Sequence, residues 1–229
     1  MFFCRTGKFC QRKGIFWSNN LFLRAEIPIF ARMDYIVWHI NESEEELRGS
    51  LQHPEYFVSK VANLKPGSRR MLEVLAIRRA LKELFYGEEQ EVFYDEDGRP
   101  SLAAGKPCIS ISHTQGYAAV ITSDVSVGID IERIGSRVER VVSHFLKPEE
   151  TVTLALYAGQ VPALHLAWSA KEAAYKILGR AYFDLQKLTT ITGIDIAHKT
   201  LTLAVEGHDT PLLVHYDYTE EYVLTYVQL

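Results

Sequence analysis

The stretch GIDIERI, Gly128 to Ile134, constrains this chain more than any other. In an extended strand successive side chains alternate between faces, so Ile129 and Ile131 point one way and Asp130 and Glu132 the other. The isoleucines demand a core. The two carboxylates, side by side, repel each other and demand a cation, a hydrogen-bonding partner or water. A fold that contains this strand must cover one face and bring something positive to the other.

The rest of the pattern says what can cover it. A first strand is expected at 35–40, followed by helical material and then a long amphipathic helix, with Ser68 as its cap and Gly87 at its end. Met71, Leu72, Leu75, Leu81, Leu84 and Phe85 recur along that helix at three-and-four spacing. Strands are expected at 91–94, 108–112 and 117–122, with the turn Asp95 to Gly98 after the first of them. The second half reads as the Gly128 strand, helices at 137–157 and 162–178, then strands at 189–196, 200–205, 212–217 and 222–228. Helices combined with several antiparallel strands in each half make the class α+β. No repeat, low-complexity stretch or long linker is visible, so a division into two parts must fall at a tight join near Ser123 to Val127.

Charge and cysteine usage exclude several functions. Residues 1–33 hold six Arg or Lys and one acid, while the remaining residues hold 19 basic and 28 acidic groups. An acidic body lacks the broad basic surface that nucleic acids require, so no nucleic-acid partner is expected. No apolar run is long enough to span a bilayer, and no membrane partner is expected. The three cysteines, Cys4, Cys10 and Cys108, show no paired zinc spacing and suit a reducing cytoplasm. Residues 1–33 lack a signal-peptide core and a helical period, and read as a disordered or mis-assigned extension with Met33 as the start.

The second informative stretch is WSAKEAAYKILG, Trp168 to Gly179. On a helix Trp168, Glu172 and Lys176 follow one another at i,i+4, presenting an acid between an aromatic anchor and a cation, with Lys171 on an adjacent face. Alone, this is an ordinary exposed Glu to Lys helix, and GIDIE alone is an ordinary half-exposed strand. Packed together they bring Asp130, Glu132 and Glu172 to one place, and three hard oxygen donors without His or Cys suit Mg²⁺ bridging to a polyphosphate. Upstream, SISHT presents Ser112 and His113 at a strand end, where hydroxyl and imidazole suit phosphate oxygens, and Arg99 of the DGRP turn suits another. No Gly-x-Ser-x-Gly elbow accompanies Ser112, which argues against a hydrolytic triad.

In this order and spacing, GRP, SISHT, GIDIE, FLKPEE and WSAKEAAYKILG make the chain resemble the 4′-phosphopantetheinyl transferases, the larger monomeric type that activates carrier proteins of peptide and polyketide synthases, over about Tyr35 to Leu229. The resemblance implies a cytoplasmic monomer built as a pseudo-dimer of two similar lobes, 34–125 and 126–229, with the active site in the cleft between them. It implies Asp130, Glu132 and Glu172 as Mg²⁺ ligands, with Arg99, Ser112, His113, Lys171 and Lys176 on coenzyme A, and Glu172 and Lys176 as catalytic residues. The implied partner is an acyl or peptidyl carrier protein, whose serine receives the arm as 3′,5′-ADP leaves. The early basic residues on the nucleotide stay open among Lys60, Arg69, Arg70 and Arg78. Two rival functions fit the same residues: a Mg²⁺-dependent small-nucleotide phosphohydrolase, and a non-catalytic module that holds coenzyme A or a carrier.

Overall fold

A computed structural model describes residues 33–103, 105, 107–179 and 184–229. The expected extension, 1–33, lies outside them except for Met33, which opens strand β1 (Met33–His39). Helices α1 (Glu44–Gly49) and α2 (Val58–Val61) are short, and α3 (Arg69–Leu84) is the long helix expected from the apolar spacing. Ser68 caps α3, its hydroxyl accepting from the Met71 N–H at 3.3 Å. Strands β2 (Val92–Tyr94) and β3 (Pro100–Leu102) form a hairpin around the expected turn; β3 is too short to announce itself by alternation. Strands β4 (Cys108–Thr114), β5 (Tyr117–Ser123) and β6 (Val127–Arg133) follow.

The single helix expected over 137–157 is broken. A 3₁₀ turn leads into α4 (Val142–Phe145), the chain extends through Leu146 and Lys147, and α5 (Pro148–Ala155) begins. Pro148 explains the break: it cannot donate a helical hydrogen bond, it drives Lys147 out of helical geometry, and it is favoured as the first residue of a new helix. Then come α6 (Ala163–Leu178), α7 (Leu185–Leu188), and strands β7 (Thr189–Asp195), β8 (Thr200–Val205), β9 (Leu212–Tyr218) and β10 (Tyr222–Gln228).

All strand pairings among the described residues are antiparallel. One sheet has the order β1-β5-β4 and is covered by α3; the other has the order β6-β10-β9-β8-β7 and is covered by α6. The α+β class with antiparallel sheets is therefore as expected. Among the described residues no helix is long and apolar enough to cross a membrane. Tyr35, Tyr117, Ala119 and Ile121 of the first sheet pack on Val127, Ile129, Ile131, Leu224 and Tyr226 of the second. The isoleucine face of GIDIE thus finds its core between the two sheets.

The opposite face of β6 meets α6, and Gly128 permits the approach. A Cβ at Gly128 would lie 2.1 Å from the Ala173 carbonyl oxygen, helix backbone that has no flexible end to move aside. Strand and helix run in opposite directions, so Gly128 lies under Ala173, and Asp130 and Glu132 fall under the preceding turns. Gly128→Ala is expected to push α6 off the strand and cost about 1–3 kcal/mol, the usual penalty for overpacking. A urea-unfolding midpoint equal to that of the parent protein would contradict this account of the contact.

Candidate active site

Three residues of α6, one turn apart, meet the carboxylate face of β6. Trp168 Nε1 donates to Glu132 Oε1 at 2.9 Å. Lys176 Nζ donates to Asp130 Oδ1 at 2.9 Å and to the Ile129 carbonyl at 2.7 Å. Glu172 lies between them. Burial first, then the charge of Asp130, push its carboxyl up to about 7; Glu132 adds to the rise and Lys176 opposes it. Burial and Asp130 likewise raise Glu132, against the hydrogen bond from Trp168.

Asp130 is buried, and its two oxygens differ sharply. Oδ1 accepts from Lys176 and also from the Ser112 hydroxyl at 2.8 Å. Oδ2 is buried with no hydrogen-bond partner among the described residues. A bare carboxylate oxygen inside a protein costs free energy unless a donor or a cation meets it. Among the described residues no three His, Cys, Asp or Glu side chains are gathered into a preformed metal-binding cluster. What exists is a patch of three mutually repelling carboxylates, with Lys176 against Asp130 and Glu172 and with Lys176 and Arg137 against Glu132. Hard oxygen donors of this kind, one of them unpartnered, suit a hard divalent ion.

Ser112, expected to contact phosphate, has spent its only hydroxyl proton on Asp130. In that arrangement it has lone pairs alone to offer, and an ionised phosphate oxygen is itself an acceptor. Arg99 comes close to the end of α6: its guanidinium fills the space where a Cβ of Gly179 would stand, and Gly179 has a φ of +92° that disfavours any other residue. Arg99 and Lys176 line one cavity of about 320 Å³ between the β3–β4 segment and α6.

Lys171 lies elsewhere. Its ammonium is fully buried, donates to Glu150 Oε2 at 2.9 Å and to the carbonyls of Phe145, Leu185 and Thr189, and is ion-paired with Glu150 Oε1 at 2.8 Å. Every proton of that ammonium is engaged inside the core, so the placement of Lys171 beside a pyrophosphate is not met. Glu150 completes the hub by accepting from the Ile191 and Lys147 N–H groups. FLKPEE contains Glu150, but nothing in that stretch distinguishes it from the exposed Glu149 beside it.

His113 sits on the α3 side of β4. Its Nδ1 lies 3.2 Å from Glu73, and its Nε2 accepts from the Arg70 guanidinium. A guanidinium can only donate, so the ring is neutral with its proton on Nδ1. Burial first, then the charges of Arg70, Lys176 and Arg69, push the His113 pKa down to about 4, against Asp130. Close by, Lys60, Arg70, Arg78 and Tyr94 line a small pocket of about 90 Å³. Arg78 is 5% exposed, and two of its nitrogens have no hydrogen-bond partner among the described residues. Three of the four early basic residues left open by the sequence therefore share one pocket.

Residues 126–227 match the model of the 4′-phosphopantetheinyl transferase superfamily. The chain is also 27% identical over 142 residues to the 4′-phosphopantetheinyl transferase gsp of Aneurinibacillus migulanus, a match covering 58% of this chain and 57% of that relative. The resemblance read from the motifs is borne out at the level of the superfamily, to which residues 126–227 are similar.

Because the folded pKa of His113 lies below its ordinary 6.5, its neutral form stabilises the fold fully above about pH 6.5. That contribution is lost as pH falls through about 4. An NMR titration of the His113 ring is expected to show a midpoint near 4, moving toward 6.5 in Arg70→Ala; a parent midpoint near 6.5 would contradict the arrangement.

Proposed function

We propose that this protein transfers the 4′-phosphopantetheine arm of coenzyme A to a serine hydroxyl of an acyl or peptidyl carrier protein, releasing 3′,5′-ADP. The observation that carries the reading is the meeting of GIDIE and WSAKEAAYKILG: Glu172, with its raised pKa, stands between Asp130, Glu132 and Lys176. The superfamily match and the named relative support the reaction class.

The chain is taken as two lobes, 34–125 and 126–229, with coenzyme A in the cleft between them. Separate hydrophobic cores under α3 and under α6, joined by a third between the sheets, support that division. Asp130, Glu132 and Glu172 would hold Mg²⁺, for which the bare Asp130 Oδ2 is the strongest indication. When bound, Mg²⁺ would neutralise charge on the pyrophosphate as it develops.

The chain's own residues do the rest. Lys176 reaches the same cavity as Arg99, and the two cations flank a pyrophosphate lying there. Lys60, Arg70 and Arg78 form a second basic pocket for the nucleotide end. Glu172, directly or through water, takes the proton from the carrier serine. The serine oxygen forms a bond to the β-phosphorus, the bond from that phosphorus to the bridging oxygen breaks, and the negative charge leaving with 3′,5′-ADP is met by Lys176. Lys171 has no part at the substrate; it holds α6 from behind.

Intact-mass spectrometry of an apo carrier protein incubated with this protein, coenzyme A and Mg²⁺ is expected to show the gain of one phosphopantetheine arm. Glu172→Ala is expected to slow loading by at least about 10²-fold, the lower end of what a positioned base contributes. Free phosphate released without an acceptor would favour the phosphohydrolase. Coenzyme A bound with no mass gain on the carrier would favour the idle module.

A further inference from the structure

The three hydroxyls on one face of β4 have unequal roles. Ser110 Oγ accepts from the Ile129 N–H at 3.2 Å, and Thr114 Oγ1 accepts from the Arg133 N–H at 3.3 Å. Both stitch β4 to the backbone of β6, and the partners advance together along the two strands. Ser112, midway, breaks the pattern: it donates, and it donates to a side chain, Asp130 Oδ1. Ser112 and Asp130 are 6% and 4% exposed, so water does not compete for this bond.

A carboxylate oxygen has two lone-pair sites, and on Asp130 Oδ1 Ser112 and Lys176 fill both. The two donors come from different elements, β4 and α6, and together they fix the carboxylate plane. Oδ2 is left as the one open coordination point on Asp130. We infer that Ser112 is a positioning residue for a divalent cation: its hydroxyl orients Asp130 so that Oδ2 is offered as a ligand. This rests on the carboxylate cation site proposed above. Groups that hold and orient a metal ligand from behind typically govern affinity by 10- to 100-fold.

The test is Mn²⁺ binding to the intact protein, followed by electron paramagnetic resonance of free Mn²⁺, with and without coenzyme A. Coenzyme A affinity without metal is measured alongside. Ser112→Ala is expected to weaken Mn²⁺ by about 10- to 100-fold while leaving metal-free coenzyme A affinity unchanged. Ser112→Thr, which keeps the hydroxyl, is expected to restore Mn²⁺ affinity to within a few-fold. Ser110→Ala separates positioning from stitching: it loses a bond in the same seam and is expected to leave Mn²⁺ affinity unchanged.

Unchanged Mn²⁺ affinity in Ser112→Ala would overturn the inference, as would an equal loss in Ser110→Ala. A fall confined to metal-free coenzyme A affinity would overturn it too, making Ser112 a substrate contact. If Mn²⁺ binding to the parent protein is insensitive to Asp130→Asn, the carboxylate site itself is wrong, an outcome distinct from failure of Ser112 alone.

Discussion

The close contact of α6 with β6 governs the rest of the molecule. A helix carbonyl, Ala173 O, sits where a side chain of residue 128 would otherwise stand, so helix and strand backbones approach as only glycine allows. At that separation, with the two elements antiparallel, Trp168 reaches Glu132 and Lys176 reaches Asp130. Glu172 is left among like charges in a half-buried setting. Its raised pKa is a consequence of where the helix sits.

The other side of α6 is held by a different device. Lys171 and Glu150 are both fully excluded from solvent, and their hydrogen bonds tie α6 to α4, α5, α7 and β7. Removing one partner of such a pair strands a buried charge and typically costs 3–5 kcal/mol, although an apolar pair of the same shape is often no less stable. The gain is directional: the ammonium accepts one geometry of its neighbours, and that geometry turns Glu172 toward β6. Neighbouring residues of one motif, Lys171 and Glu172, thus serve opposite faces of the helix.

Much of this was legible in the sequence where local periodicity decides. The alternation in GIDIE separated the isoleucines from the carboxylates, and the i,i+4 spacing put Trp168, Glu172 and Lys176 on one stripe. The break at Pro148 was also written in the chain, and the expected helix over 137–157 overlooked it. Features set by tertiary contact were not legible. Full burial of a lysine is rare, so nothing in the sequence marked Lys171 as a core residue. The Ser112 hydroxyl was read as free for phosphate because its partner, Asp130, lies 18 positions away on another strand. The pairing of His113 with Glu73 and Arg70, 40 and 43 positions away, has no local signal.

The central claim is that one hard cation belongs between the strand and the helix, against Asp130 Oδ2. The most direct measurement is an anomalous-difference map from crystals grown with coenzyme A and Mn²⁺. A peak ligated by Asp130, Glu132 and Glu172, beside the coenzyme A pyrophosphate, is the predicted result. A peak remote from all three carboxylates, or coenzyme A held away from the Arg99 and Lys176 cavity, would contradict it.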